Sequence, residues 1–516
     1  MANDVETSES PVASERALSD GDAVAQGETI QKPVNLQGAP HNRATLSGLE
    51  LAVVALLGGL PPFTMEIYIP SLPSLQTQLH TTPRLVMLTL SVYQACFSGL
   101  QVILGPISDV YGRRPVLLGA LTFYVGASGA AMFAPTIEIL IVLRSLQAVG
   151  SASAAILSIA TLRDRLDMKE RQRVTSKLAM VRSTAPLLAP VVGSLLEVSL
   201  GWRSSFGALG LLGLLGLYGA FSSLPESLTP ERQQPSFNCA SVLHGNLYLV
   251  HRREFLAFSV PEAVGFGGLF CWISSSSFVL QDFYQVPVVL FGLIYCVTFV
   301  GSLTGAYIAP RMRLLGLPPH QHYVTACTLN AVIAALLAAF ASSGLSLRPS
   351  MASQLFLQAC MFLYALGTAV SMVHGQVLAL EPFPTRAATA AGLMGAMRTA
   401  ISCAATLIMG AVHDNTPRPM CIGMAIFGVS KLLLHLLLRP PPRTPGGCAT
   451  DLGGSLPPAM EELKRAHEAA AEDTAREKHN AAAASLSVPA ASPVRVATSA
   501  TRCEPRTTIP FSCAIR

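Results

Sequence analysis

Charge is what this sequence has least of. Only 13% of its 516 residues are Asp, Glu, Lys or Arg, about half the ~25% usual in soluble domains. A soluble fold of this length has too much surface to cover with so few charges, which excludes an ordinary cytosolic enzyme and a disordered scaffold. The formal net charge of +5 is spread over short connections rather than gathered in one basic patch, so a nucleic-acid partner is excluded too. No Cys-x-x-Cys pair occurs among the 11 cysteines. Most of them (Cys96, Cys271, Cys296, Cys327, Cys360, Cys403, Cys421) stand singly in apolar runs, where a thiol behaves as a small hydrophobe; neither a disulfide framework nor a zinc site is expected. A phosphate loop of the G-x-x-x-x-G-K-[ST] type is missing, so ATP is not expected to drive the protein directly. No nucleophile–base arrangement or metal-ligand cluster is recognisable, and the expectation is no enzyme, no cofactor and no metal. The start of the chain lacks a basic segment followed by an apolar one, so no cleavable signal peptide is expected.

What the chain has is apolar length. Hydrophobic residues make up 51% and the mean hydropathy is +0.47. A bilayer-crossing helix needs about 20 apolar residues, and the middle of the chain holds twelve such runs, near 47–72, 84–105, 115–133, 137–161, 174–199, 203–224, 255–281, 288–310, 321–343, 351–379, 387–411 and 418–438. The longest internal connection, Pro225 to Glu254, divides them into two sixes. The reading is an all-α membrane protein: an acid-rich cytoplasmic tail over 1–46 (Asp4, Glu6, Glu9, Glu15, Asp20, Asp22, Glu28), a six-helix half over 47–224, a central cytoplasmic loop over 225–254, a second six-helix half over 255–438, and a Pro/Ala/Thr/Ser-rich tail over 439–516. Both tails read as disordered, with one short exposed helix conceivable over Met460 to Asn480. Orientation follows from the basic residues of the short connections. One side holds Arg113, Arg114, Arg163, Arg165, Lys169, Arg171, Arg173, Arg232, Arg252, Arg253, Arg311, Arg313 and Arg386; the other holds Arg84, Arg203, Arg348 and Arg418. The richer side is read as cytoplasmic, and an even number of spans places both termini there.

Four motifs carry chemistry. Between spans two and three stands Gly105-Pro-Ile-Ser-Asp109-Val-Tyr-Gly112-Arg113-Arg114-Pro115. Gly105 and Gly112 allow a tight turn and close helix approach, and Asp109 can meet a helix N-terminus or an arginine. Such a clamp holds one side shut and breaks when the halves rock; the alternative is that the two arginines only set topology. The matching second-half loop, Gly305 to Arg313, keeps basic residues but lacks the aspartate. Span one carries Pro61-Pro62-Phe-Thr-Met-Glu66-Ile-Tyr68-Ile-Pro70-Ser-Leu-Pro73. A carboxyl in lipid is costly and functional by default, and such a group can take a proton in one state and release it in another. The prolines free backbone groups, which is tolerable only where protein or water lines the wall. Span four holds Arg144-Ser-Leu-Gln147-Ala148-Val-Gly150 and then Arg163-Asp164. Helix rise puts Arg144 ~10 Å and Glu66 ~9 Å below the outer edge, so the two can pair or compete for a proton. Arg144 keeps its own proton; it stabilises ionised Glu66, binds an anionic substrate, or is purely structural. Span five holds Ala185-Pro186-Leu-Leu-Ala-Pro190-Val-Val-Gly193-Ser194, a kinked, small-residue helix able to pack tightly.

The loop between spans two and three resembles the G-x-x-x-D-x-x-G-R-[RK] loop of the major facilitator superfamily. The span-one segment is similar to the D-M-Y-L-P-A-L-P segment of its bicyclomycin-resistance and chloramphenicol-efflux (Bcr/CflA) drug exporters, with Glu66 where that family usually has Asp. The span-four motif is similar to R-x-x-Q-G-x-G-x-A…R-D, with Ala148 for a Gly. The span-five motif is similar to the antiporter signature G-P-x-x-G-G, with Ala189 and Ser194 for glycines. Phe278 to Pro287 with Phe291-Gly292-Leu293, and Arg386 to Gly395, resemble the same family in the second half, so the resemblance covers about 47–438. It implies the major facilitator fold with a site between the halves, multi-pass insertion in a plasma membrane (a bacterial inner membrane), and function as a monomer. It implies export of small hydrophobic, drug-like compounds against protons, with Glu66 and Arg144 in coupling, Gly105, Asp109, Gly112, Arg113 and Arg114 as a gate, and Pro186, Pro190 and Gly193 sealing one pathway. Tyr68, Tyr93, Gln94, Gln147, Glu262, Tyr295, His374 and Arg398 are candidate cavity-lining residues, against ordinary helix packing or pairing. Other readings of the same fold are transport of one metabolite (an amino acid, a sugar or a siderophore) and, from a different class, a non-transporting membrane sensor.

Overall fold

A computed structural model describes residues 46–229, 233, 236–237 and 239–438. The two tails (save Leu46), the Met460–Asn480 segment and Arg232 lie outside the described residues. Within them the regular structure is helical throughout, and twelve helices are long and apolar enough to cross a membrane. In chain order, spans one to six are Gly48–Gln78, Pro83–Tyr111, Arg113–Met132, Ile137–Arg165, Glu170–Leu200 and Trp202–Ser223. Spans seven to twelve are Arg253–Phe283, Val288–Met312, Pro319–Ser342, Met351–Leu380, Pro384–Val412 and Arg418–Leu438.

All twelve expected spans are there, and the differences lie at their ends. Span two runs past Gly105 to Tyr111 with Pro106 inside it, so Gly105 is a helical residue and not part of a turn. The turn is made by Gly112 alone, at φ +93°, a conformation that a side chain makes strained. A Cβ there would also run into the Glu226 carboxylate. Only Leu166 and Asp167 separate the helix of span four from that of span five, and Asp167 caps the latter by accepting the Glu170 N–H at 2.9 Å. Span one starts on a reciprocal cap, in which Ser47 and Glu50 each accept the other's backbone N–H. The central connection, expected as a loop, contains a helix, Cys239–Val250. Its Leu249 is buried against Phe255, Phe383 and Met394, which supplies the apolar contact a short helix needs.

The two halves are packed alike. In the first half span one touches four, five and six, span two touches four, and span three touches four and six. Adding six to each number gives the contacts of the second half: seven with ten, eleven and twelve, eight with ten, nine with ten and twelve. The halves meet along two seams, span two against eleven and span five against eight. Polar links cross between them: Gln281 Nε2 to Pro70 O (2.8 Å), Cys403 Sγ to Ser91 O (3.2 Å), Ser98 Oγ to Ala396 O (2.7 Å) and Gln101 Nε2 to Thr399 Oγ1 (3.2 Å).

Candidate functional site between the halves

Span one is not one helix. It is α-helical to Glu66, turns at Ile67–Tyr68, makes a 3-10 turn over Ile69–Ser71 and resumes over Leu72–Gln78. Pro70 and Pro73 lack the N–H groups that a continuous helix would use there. Glu66 ends the first segment and is buried. It accepts a hydrogen bond from the Tyr295 hydroxyl of span eight at 2.8 Å, so the carboxyl joins the two halves. Tyr295 is held by Phe291 and Phe299 of its own span, each 5.4 Å away by ring centroids, and by Trp272 of span seven at 6.4 Å.

The residues of the span-five motif shape this meeting point. A Cβ on Gly193 would overlap the Ile67 carbonyl, next to Glu66. A Cβ on Gly292, one turn before Tyr295, would come within 2.9 Å of the Pro190 carbonyl and 2.6 Å of Ser194 Oγ. Glycines at these two positions let spans one, five and eight converge backbone to backbone. Pro186 and Pro190 lie inside span five, and Cys296 Sγ reaches the Leu187 carbonyl at 3.0 Å.

Arg144 is fully buried but does not pair with Glu66: among the described residues no ion pair joins them. Its Nη1 donates to the Thr64 carbonyl (3.3 Å) and to Gln147 Oε1 (2.9 Å). Its guanidinium lies 4.5 Å from the Tyr68 ring and 4.4 Å from the Tyr93 ring. Helix geometry explains the difference from expectation. Residues two apart on a helix face about 200° apart: Glu66 turns toward Tyr295 of span eight, while Thr64 turns its hydroxyl toward Tyr124 of span three and leaves its carbonyl to Arg144 of span four. Depth along the helix was legible; the facing was not. Thr64 is in the last turn of its helix, where carbonyls lack internal partners, and Arg144 fills one such gap. Two desolvated cation–π contacts, on the order of 2 kcal/mol each, hold the guanidinium without a carboxylate. Its Nε and Nη2 have no acceptor among the described residues and are free to meet a carbonyl or carboxylate.

The remaining expected lining residues divide between the halves. Gln147 Nε2 donates to Ser128 Oγ at 2.8 Å, the Tyr68 hydroxyl meets Thr89 Oγ1 at 3.1 Å, and the Tyr93 hydroxyl meets Ser151. Gln94 is buried with neither amide atom hydrogen-bonded among the described residues. Glu262 and His374 are in the second half, away from this cluster: Glu262 beside Lys431 of span twelve, His374 with its ring 5.0 Å from that of His322. Arg398 is half-buried in span eleven, within electrostatic reach of Glu262 and of Arg182 in span five. Among the described residues no group of three His, Cys, Asp or Glu is placed to hold a metal ion.

At the end of the first half that carries the basic connections, Arg113 is buried and pairs with Asp109 and, through Nε at 3.1 Å, with Asp164 of span four. It also donates to Ser108 Oγ and the Gly105 carbonyl. The backbone N–H groups of Arg113 and Arg114 donate to Glu226 at 3.1 and 3.0 Å, so Glu226, not Asp109, occupies the N-terminus of span three. Arg114 reaches the Phe221 carbonyl at 2.7 Å. Of the two partners expected for Asp109, a helix N-terminus or an arginine, the structure has the arginine, and the clamp lies within the first half. Sequence reading missed Glu226, which follows Pro225 with no motif around it. It also missed Lys431, which a lone lysine in an apolar span does signal.

A family model described as Major Facilitator Superfamily matches residues 54–407. The chain belongs to the Major Facilitator Superfamily. As a member it is a multi-pass integral membrane protein with the fold of a transporter. It is 28% identical over 407 residues to the MFS-type transporter YdgK of Bacillus subtilis (strain 168), covering 76% of this chain and 98% of that one. It is 26% identical over 401 residues to a bicyclomycin resistance protein homolog of Haemophilus influenzae, covering 75% and 95%. Among solved structures, the nucleoside transporter NupG superposes with a TM-score of 0.61 at 15% identity, over 76% of this chain and 99% of that one. That likeness is one of fold.

Proposed function

We propose that this facilitator exports small hydrophobic, drug-like compounds from the cytoplasm in exchange for protons, by alternating access and as a single chain in the plasma membrane. The observation that carries the reading is the buried Glu66 carboxyl, hydrogen-bonded across the halves to Tyr295. A hydroxyl donating to an ionised carboxylate contributes about 1.5–3 kcal/mol, and one donating to a neutral acid about half that. Protonation of Glu66 therefore loosens span eight from span one, and deprotonation tightens it. A cycle in which proton and substrate alternate lets an inward proton gradient drive outward movement. The relative named for bicyclomycin resistance supports a drug-like cargo, and the open donors of Arg144 favour compounds that carry an acceptor group. The Asp109–Arg113–Asp164 network serves as the stiffening element that moves with the first half.

The test is efflux of a panel of hydrophobic drugs from loaded cells or energised everted vesicles, at several pH values. Wild type is expected to move at least one compound outward and to stop with a protonophore, and Glu66→Gln to lose gradient-driven movement. A Glu66→Gln protein that exports as well as wild type would remove Glu66 from coupling.

A further inference from the structure

Glu262 of span seven and Lys431 of span twelve are both buried, with Nζ 4.0 Å from Oε2. Two glycines make room for them. A Cβ on Gly265 would lie 2.8 Å from Lys431 Nζ, and one on Gly375 would lie 3.3 Å from Glu262 Oε2. Lys431 donates its short hydrogen bond to Ser371 Oγ of span ten and not to the carboxyl. Neither oxygen of Glu262 accepts a hydrogen bond of ordinary geometry among the described residues, although the Ser371 hydroxyl faces the carboxyl.

A charge-assisted hydrogen bond runs at about 2.7–2.9 Å, so at 4.0 Å Lys431 and Glu262 are ion-paired without one. A permanently ionised carboxylate with no well-placed donor, out of water, is among the costliest arrangements a fold can hold. The cost falls if the carboxyl can take up a proton, and Ser371 then leaves Lys431 a partner when it does. We propose that Glu262, with Lys431 as its counter-charge, is a second proton-binding site of this transporter, separate from Glu66. The step is proton uptake by the carboxylate to give the acid, with Lys431 remaining an ammonium on Ser371. The reverse step returns the proton to water.

Imidazoles mark the side to which an inward-moving proton is released. His322 is near the start of span nine and His374 near the end of span ten, both toward the basic connections, and their rings are 5.0 Å apart. His322 is buried and neither ring nitrogen is hydrogen-bonded among the described residues. His374 adjoins Gly375, which stands against Glu262 and Tyr323. From span twelve His435 reaches the Ala257 carbonyl at 3.1 Å, and from spans nine and eleven Cys327 and Arg398 face the same carboxyl. Arg398 adds a second positive charge that favours release once the proton has arrived.

That such a site serves exchange rests on the transport reading above; that it binds a proton does not. The experiment is infrared difference spectroscopy of the full-length protein in liposomes, titrated over the pH range in which it stays folded. Wild type minus Glu262→Gln is expected to show a protonated-carboxyl band at low pH that converts to carboxylate on raising the pH. Wild type minus Glu66→Gln reports Glu66 separately, so either acid can fail without the other. Lys431→Met, read in the Glu66→Gln background in case Glu262→Gln does not fold, is expected to hold the acid band to higher pH by at least one unit, a tenfold change in proton affinity. A Glu262 band that stays carboxylate, or stays acid, at every pH overturns the proposal. So does a band that Lys431→Met leaves where it was.

Discussion

The two halves of this transporter share a packing plan and differ in where they keep their charge. In the first half, Arg113 at the basic end is buried among Asp109, Asp164, Ser108 and the Gly105 carbonyl, with Glu226 on the adjoining helix N-terminus. At the matching place in the second half, Arg311 is exposed, donates to the Tyr307 carbonyl of its own helix at 2.8 Å and lies over the Tyr307 ring. The intramembrane acids are displaced as well. Glu66 ends the first helical segment of span one, 18 residues from its start at Gly48, while Glu262 is nine residues into span seven, an offset of roughly 13 Å of helix rise. Small and apolar contacts repeat between the halves because they set how helices can stack; ionic groups need not repeat, because each does its work against particular partners. One half is stiffened at its basic end, and the other sets its acid nearer that end and gives it a lysine.

That asymmetry can be broken most severely at the arginines. Arg113→Ala leaves Asp109 without its cation and Asp164 with only the more distant Arg163 at 3.7 Å, and removing one member of a buried pair costs about 3–5 kcal/mol. Arg311→Ala touches nothing buried and is expected to stay within about 0.5 kcal/mol. Thermal unfolding in detergent compares them directly, and equal losses would mean that the two loops do the same work. Next comes the span-five seam. Gly193→Ala forces a methyl onto the Ile67 carbonyl and is expected to cost about 1–3 kcal/mol and to slow transport. Gly392→Ala, in span eleven, meets only the Gln101 carbonyl at 4.0 Å and should change neither. Smaller again is Tyr295→Phe. The hydroxyl donates to Glu66 and favours its carboxylate form, so removing it lets the acid persist to higher pH. The pH profile of efflux is expected to move to the alkaline side by about one unit, with the substrate panel unchanged; a profile that does not move would dissociate the bond from coupling.

Much of this was legible in the residues. Apolar run length placed all twelve spans, because a bilayer leaves a helix few ways to satisfy its backbone. The motifs pointed to Glu66, Arg144 and the Arg113 loop, because intramembrane charge and paired glycines are rare without a reason. What could not be read was azimuth and partnership. The expected Glu66–Arg144 pair failed on a rotation of two residues. The Gly105 turn failed because Pro106 is accommodated within the helix, leaving Gly112 as the bend. Glu226 and Tyr295 became partners through tertiary packing that no local pattern encodes. Lys431 was visible and unread: a single lysine in an apolar run draws notice only once its carboxylate, 169 positions earlier, is beside it.

The smallest expected effect tests how the second half closes its own basic end without a buried carboxylate. Tyr248, on the helix Cys239–Val250, has the Arg252 guanidinium 4.6 Å and the Arg386 guanidinium 4.4 Å from its ring. One aromatic ring thus ties the starts of spans seven and eleven, whereas the first half ties the ends of spans two and four to the start of span three through Asp109, Asp164 and Arg113. Cation–π contacts at accessible sites contribute about 0.5–1 kcal/mol each, so Tyr248→Ala is expected to lower stability by about 1 kcal/mol, well short of Arg113→Ala. The attraction comes from the ring face and not from the hydroxyl, so Tyr248→Phe should restore nearly all of it. If Phe is as damaging as Ala, the hydroxyl is the working group and the second half closes by hydrogen bonding after all.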